Sequence, residues 1–395
     1  MRVAVYSGAI PSTTFIEHLI HGLADCGSTV LLFGTLQKNV NYGNPCIKCI
    51  PTPLSRLPRL LFALKVRYLL KMRNSNAYCK LNKIVSSRAN NRLACLNLWA
   101  RYAPILLHKP KIFHLQWAKS AEDWLFLREF GIQLIISFRG THINTSPLAN
   151  ATLAESYRRA FPHYDAFHAV SSAIAEEAEQ YGANQAKIHV IRPAIDAKLI
   201  KHPIGLKDIS ERRPLRILSV GRNHWIKGYR YALDSCKELK DSDIGFEYTI
   251  IGGSDCEALL HQRDQLGLND QVDLQSKLPH ADILRLYKTA DLFLLPSLEE
   301  GIANVVLEAM ALGCPVLTSD CGGMKEVIED GINGLIFPSG NVGMMARKIE
   351  AFLAMPNEVV HKMRLNARET IQQRHLLQQQ IESMAGLYKS VIKNS

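Results

Sequence analysis

The stretch Leu292-Phe-Leu-Leu-Pro-Ser-Leu-Glu-Glu-Gly-Ile-Ala-Asn-Val-Val-Leu-Glu-Ala-Met-Ala-Leu-Gly-Cys-Pro-Val-Leu-Thr318 decides the fold. Its two ends, Leu292–Leu295 and Pro315–Thr318, are short and mostly apolar, with no polar side alternating in. Between them Val305–Leu312 has the spacing of a helix, and Gly313 and Pro315 are placed to end it. Strand, loop, helix and strand in that order form a crossover unit. Strands apolar on both faces belong in a parallel sheet covered by helices on both sides. The loop between carries chemistry. Asn304 is placed to cap the helix, whose first amides would accept an anion. Glu300 lies in the loop and Glu308 one turn inside the helix, with seven residues between them. A carboxylate accepts a pair of vicinal ribose hydroxyls, and a second one near a phosphate site suits sugar hydroxyls.

The same alternation continues in both directions. Toward the C-terminal half, strands are expected at Arg216–Val220, Phe246–Ile251, Val272–Leu274 and Leu335–Phe337. Helices are expected at Tyr229–Leu239, Glu257–Leu266, Ala281–Thr289 and Val342–Leu353. In the first half, Val3–Tyr6, Thr29–Phe33, Ile112–Leu115, Leu134–Phe138, Ala166–Val170 and Ile188–Ile191 read as strands, and Phe15–Ala24 and Ser171–Tyr181 as helices. The polar segment 201–214, with Pro203 and Pro214, reads as a linker. A length of 395 residues exceeds one core and predicts two domains. The fold class is therefore α/β, with two doubly wound parallel-sheet domains facing across a cleft.

Two further loops follow strands. Gly221-Arg222-Asn-His-Trp-Ile-Lys227-Gly228 projects two cations from a short turn, a planar fork and a point charge, which suits a diphosphate. Lys227 is followed by glycine rather than Ser or Thr, so the loop does not predict magnesium-dependent nucleotide hydrolysis. Gly252-Gly253-Ser254-Asp255 permits close backbone approach, with Asp255 placed to cap the next helix. Taken singly, each of these charges is equally at home in a solvated turn. Their convergence at strand ends carries the reading.

These residues resemble the donor half of GT-B glycosyltransferases of the retaining family 4. Glu300-Gly-Ile-Ala-Asn-Val-Val-Leu-Glu308-Ala-Met-Ala-Leu-Gly-Cys-Pro-Val reproduces that family's Glu-x7-Glu motif and its flank. Gly221-Arg222 to Lys227-Gly228 resembles its phosphate-binding pair. Cys321-Gly-Gly-Met-Lys-Glu-Val327, Asp330-Gly-Ile-Asn-Gly334, Ala169-Val-Ser-Ser172 and Pro193-Ala-Ile-Asp196 resemble its other landmarks. The resemblance implies a retaining transferase of bacterial surface-polysaccharide assembly, using a nucleotide-diphosphate sugar and requiring no metal or other cofactor. It implies donor contacts at Gly8, Gly221, Arg222, Lys227, Gly252, Glu300, Gly301, Ile302, Ala303, Asn304, Val305 and Glu308. Catalytic roles fall on Glu300, Arg222 and Lys227. Arg139 and His142 join them, standing where many members have a histidine and an acidic residue. The implied domains are 1–205 on the acceptor side, completed by the C-terminal helix 376–395, and 206–375 on the donor side. A nucleotide-sugar epimerase of similar architecture and a non-catalytic nucleotide-sugar-binding regulator or partner subunit are the competing readings.

Composition adds a location. The net charge of +11 is unevenly spread: residues 26–121 hold sixteen Lys and Arg and no acid, leaving 31 basic and 36 acidic side chains elsewhere. A uniformly basic nucleic-acid binder would not look like this. The basic region predicts an anionic partner, either a membrane surface or a charged acceptor. Within it, Arg59–Arg73 mixes apolar and basic residues without two clean faces in projection. No leader peptide or spanning segment is expected. Nine scattered cysteines suit free thiols, and Cys46-Ile-Lys-Cys49 lacks the second pair a zinc site would want. The chain is thus expected in the cytoplasm, peripheral on the inner face of the membrane. Asp241-Ser-Asp243 resembles a manganese motif but follows a helix rather than a strand. His114 and His224 are the histidines best placed for a functional part.

Overall fold

The computed structural model describes residues 1–201, 203–205 and 214–393. Most of the expected linker, 202 and 206–213, lies outside the described residues. The chain divides into two compact units. One comprises Met1–Val170, Ala175–Ile191 and Ile381–Ser395, and the other Ser171–Ile174 and Arg192–Gln380. Each is a parallel sheet wrapped by helices, a doubly wound α/β architecture.

The first unit follows the order β1 (Arg2–Ile10), α1 (Thr14–Asp25), β2 (Thr29–Leu36), β3 (Ile47–Thr52), α2 (Arg56–Arg73), α3 (Ser75–Arg88), α4 (Arg92–His108), β4 (Ile112–Leu115) and β5 (Gln133–Phe138). Three short helices come next, α5 (Thr141–Asn144), α6 (Ser146–Ala149) and α7 (Ala151–Ala160), then β6 (Ala166–Ala169), α8 (Ser172–Glu179), whose residues up to Ile174 belong to the second unit, and β7 (Ile188–Val190). The sheet order is β3-β2-β1-β4-β5-β6-β7, with every pair parallel. The order reverses between β1 and β4, which is where ligands settle at strand ends in such sheets. Two features depart from the sequence reading. β3 was not foreseen, because Ile47–Thr52 is a half-buried edge strand containing a proline. The strand expected at Val3–Tyr6 is longer and includes Gly8–Ile10. β1 continues through them after a bulge at Gly8, and Ile10 pairs with Leu36.

The second unit runs β8 (Leu215–Val220), α9 (Tyr229–Asp241), β9 (Phe246–Ile251), α10 (Glu257–Gln265), β10 (Val272–Gln275), α11 (His280–Thr289), β11 (Leu292–Leu295), α12 (Asn304–Ala311), β12 (Val316–Ser319), β13 (Leu335–Phe337), α13 (Val342–Leu353), α14 (Asn357–Arg374) and α15 (Leu377–Lys393), whose later turns belong to the first unit. The sheet order is β10-β9-β8-β11-β12-β13. β11 shows why its residues read as buried. Leu292 and Leu294 enter one apolar cluster, with Leu233, Phe246 and Ile349. Phe293 and Leu295 enter another, with Val306, Met310 and Ile371. Successive side chains point to opposite faces, and both faces are covered.

β8 and β11 flank this sheet's reversal point and are joined at their starts. The fully buried Asp291 accepts hydrogen bonds from the Arg216 amide at 3.0 Å and from its guanidinium at 3.2 and 3.1 Å. Asp291→Ala leaves that amide without its acceptor and the guanidinium without its counter-charge. Urea unfolding of the variant should show a loss of about 3 kcal/mol.

Candidate active site

The loops that follow β8 and β11 carry the second unit's candidate residues. After β8, Gly221 leads into a loop in which Arg222 is exposed, and a single 3-10 turn over Trp225–Lys227 returns the chain toward the sheet. His224 starts that turn, its Nδ1 accepting from the Ile226 amide. Burial and the neighbouring Arg222 and Lys227 charges lower its pKa. Gly228 closes the turn in the left-handed region at φ 67, and a Cβ there would drive into the Pro296 carbonyl. Only glycine lets the two loops touch at this point. The Leu298 amide then donates to the Ile226 carbonyl at 2.7 Å, fastening one loop to the other.

The clamp places Lys227 Nζ on Glu300 Oε1, which also accepts from the Ser297 hydroxyl at 3.0 Å. Both members of the ion pair are only 16% exposed, so this is not a solvated surface pair. Sequence reasoning placed both residues in the site but did not anticipate that they hold each other. The segment Gly322–Glu326 braces Glu300 from behind. The Gly323 amide donates to the Gly301 carbonyl at 2.8 Å, and Gly322 sits at φ 51 against the Glu300 carbonyl, where a side chain would not fit. Glu326 has a structural part: it accepts from the Ser172 and Ala173 amides and pairs with Arg192 at 2.7 Å.

Glu308 lies in α12, one turn beyond Asn304. Burial raises its pKa, opposed by His280, whose Nε2 is 2.9 Å from Oε1. The Tyr287 hydroxyl donates to the other oxygen at 3.4 Å. Ser297, His280 and Tyr287 were missed by sequence reasoning, since nothing in their spacing marks them. Asn304 is the first helical residue rather than the cap; Ala303 holds the cap position and offers no side-chain bond. Its amide and that of Val305 precede the first intrahelical bonds and have no acceptor within the helix. The side-chain oxygen of Asn304 is buried without a hydrogen-bond partner. Gly301, Ile302 and Ala303 are buried and form the wall of the loop. Gly252 follows β9, its amide bonded to the Gln275 carbonyl at 2.9 Å. Asp255 does not cap α10; Cys256 precedes that helix, and Asp255 accepts from Ser254 instead.

The first unit's candidates gather where β1, β4 and β5 end. The Arg139 guanidinium lies 4.6 Å over the Phe15 ring and donates to Gln116 Oε1 at 3.1 Å; burial pulls its pKa down to about 10. The His142 ring is 5.0 Å from that of Trp117, whose indole N–H donates to the Ser7 carbonyl beside Gly8. His114 is not a ligand-facing group. It is fully buried within β4. His168 Nε2 faces the Ile191 carbonyl at 2.9 Å and so carries a proton, which leaves its Nδ1 to accept from the Ser137 hydroxyl at 2.8 Å. Ser137 then accepts from His114 Nε2 at 2.8 Å. His114 Nδ1 accepts from the Tyr388 hydroxyl of α15 at 2.6 Å and from the Gln116 amide at 3.1 Å. The chain of bonds is satisfied only with both rings neutral. Burial accordingly lowers both pKa values, His168 to about 3.

Two doubly wound parallel sheets, each with charged and polar side chains at its reversal point, are the GT-B type of α/β architecture. The chain belongs to the glycosyltransferases of the family-4 type: residues 12–194 match the glycosyl transferase 4-like domain, and residues 207–370 match glycosyl transferases group 1. It is 37% identical to the amylovoran biosynthesis glycosyltransferase AmsK of Erwinia amylovora over 49% of this chain and 48% of that one. It is 28% identical to a protein named as a colanic acid biosynthesis glycosyltransferase, WcaL of Escherichia coli (strain K12), over 65% of this chain and 64% of that one. The matches thus span about half to two thirds of these relatives' length. Anabaena Alr3699/HepE, solved in complex with UDP-glucose, shares the fold at a TM-score of 0.71 and 18% identity, covering 99% of this chain and 100% of that one.

Proposed function

We propose that this chain is a retaining transferase that moves a sugar from a nucleotide-diphosphate sugar to a glycan or lipid-linked glycan acceptor in cell-surface polysaccharide assembly. The observation that carries this reading is the enclosed Lys227–Glu300–Ser297 cluster, with Arg222 exposed in the same loop as Lys227. Two cations from one loop match a diphosphate, and a carboxylate fixed beside them matches a sugar. The relatives named for amylovoran and colanic acid biosynthesis support the polysaccharide setting, and the UDP-glucose complex of HepE supports the donor class.

In this reading residues 206–375 hold the donor. Arg222 and Lys227 neutralise its diphosphate, helped by the amides of Asn304 and Val305 at the start of α12. Gly221 and Gly252 let the backbone approach, and Gly301–Ala303 wall the site. Glu308, oriented by His280 and Tyr287, accepts the ribose hydroxyls. Glu300 contacts the sugar and stabilises positive charge developing at the anomeric carbon. The bond from that carbon to the phosphate oxygen breaks as the acceptor hydroxyl attacks from the same face. The departing phosphate takes the acceptor's proton, so no protein nucleophile is required and configuration is retained. No step calls on a metal. Residues 1–205 and 376–395 form the acceptor side, where Arg139 touches a phosphate or sugar and His142 a sugar or acceptor, with Gly8 near the donor. The acid-free stretch brings the enzyme to an anionic membrane on its cytoplasmic side. Among the described residues no helix is long and apolar enough to cross one.

A thermal-shift screen against UDP-, GDP-, ADP-, CMP- and dTDP-sugars tests the donor class. One nucleotide should raise the melting temperature, by about 2.7 kcal/mol of stabilisation at a hundredfold excess over its Kd. No shift with any of them would refute the donor site. With a competent acceptor, turnover should survive chelator; an epimerase would instead convert the nucleotide sugar with no acceptor present.

A further inference from the structure

The helix α2 carries a stripe that the first unit leaves uncovered. It packs on α3 and α4 through Ala63, Val66 and Leu70, which are buried. On its opposite side Leu57, Leu61, Leu64, Tyr68 and Met72 are 66, 59, 49, 63 and 67% exposed. Their spacing of four, three, four and four residues keeps all five within one narrow face of a helix that turns about 100° per residue. Five large apolar side chains in one exposed row are not the scattered exposure usual of a protein surface. Lys65 and Lys71 stand on the two flanks of the row by the same geometry. In the first turn of α2, Arg56 and Arg59 line a groove of about 290 Å³ together with Leu60, Leu93, Leu96 and Asn97. Leu93, from α4, is 72% exposed.

We infer that this face is a membrane-insertion surface for an anionic lipid bilayer, with the Leu57–Met72 stripe lying at the acyl boundary and the flanking Lys and Arg at the headgroups. Charge decides among occupants. The stripe sits within 26–121, where sixteen basic residues meet no acid. A second copy of the chain would bring two such surfaces together and be repelled. A nucleic acid would match the charge but leave five apolar side chains without a partner, whereas a bilayer surface matches both. The inference deepens the proposal that the acceptor is met at a membrane. It does not depend on the donor site, whose failure would appear in the nucleotide screen without any lipid.

The test is flotation with vesicles of phosphatidylcholine alone and of equal parts phosphatidylcholine and phosphatidylglycerol, at low and high salt. The parent chain should float with the anionic vesicles, less so at high salt, and poorly with the neutral ones. The triple variant Leu61→Gln, Leu64→Gln, Tyr68→Gln changes exposed positions only. It should keep the parent's circular dichroism yet lose partitioning about tenfold or more. Lys65→Gln with Lys71→Gln should weaken only the anionic case. In a Tyr68→Trp variant, brominated phosphatidylcholine mixed into the anionic vesicles should quench emission beyond the parent's level. Equal recovery of the triple variant and the parent would overturn insertion. Equal recovery on both vesicle types would overturn the electrostatic part. A parent that ignores vesicles but forms a dimer abolished by the triple variant would assign the stripe to a second copy instead.

Discussion

Lys227→Ala is expected to lower kcat by about a hundredfold to a thousandfold, with nucleotide affinity falling as well. The size follows from where the ammonium sits. It is largely enclosed and paired with Glu300, in a loop pinned to its neighbour through Gly228 and the Leu298 amide. A cation held there is in position before the donor arrives, so it stabilises charge developing on the departing diphosphate without reorganising. Removing it also strips Glu300 of its counter-charge and leaves Ser297 as its hydrogen-bond donor. The double variant Lys227→Ala, Glu300→Gln separates the two effects. If the pair acts as a unit, the double variant should be no slower than the worse single one. Arg222→Ala should weaken nucleotide binding with little change in stability, because its side chain is exposed. Parent-like turnover and nucleotide binding in Lys227→Ala would show that the site lies elsewhere.

The second large effect is on stability in acid. His114 and His168 are buried in a chain of bonds that only neutral rings satisfy, and both have pKa values depressed below the ordinary 6.5. The unfolded chain therefore takes up protons on these rings below pH 6.5 while the folded one does not. Their stabilising contribution is complete above 6.5 and is lost as pH falls, down to about 3 for His168. Each ring removes about 1.4 kcal/mol per pH unit once well below 6.5, so the two together remove nearly twice that. Urea unfolding followed by tryptophan fluorescence is a suitable readout, since Trp99 and Trp124 are buried in the first unit. The midpoint should drop steeply between about pH 6.5 and pH 5. A His114→Gln, His168→Gln variant should start lower and fall much less. An equal fall in that variant would place the acid sensitivity on other groups.

Much of the fold was legible because its signals are local. A run such as Leu292–Leu295, apolar on both sides, has few uses other than a central parallel strand, and the glycine and proline after α12 mark its end whatever it packs against. The sequence also brought Arg222, Lys227, Glu300 and Glu308 into consideration, because strand ends in such sheets are where ligands bind. Edge strands and caps were less legible. β3 is half solvated and so lacks the buried-strand signature. Asn304 and Asp255 look like caps by type, but the actual cap positions are set by how each loop reaches its helix. α2 was only partly legible for a related reason. Basic residues blur its projection, and only knowing that Ala63, Val66 and Leu70 are the packed side shows that its other apolar row faces outward.

What the sequence determined by itself was the order of elements, the doubly wound class and the residue types at the strand ends. These depend on periodicity and on backbone preferences that act within a few residues. Tertiary structure alone decided who partners whom. Lys227 holds Glu300 across 73 positions of chain, His280 reaches Glu308 from another helix, and Tyr388 closes a hydrogen-bond chain that starts at His168. Such pairings depend on which strands lie side by side and on a few glycines that let loops approach. Neither is written in the spacing of residues along the chain, because the free energy of a contact depends on distance in space and on the water removed there.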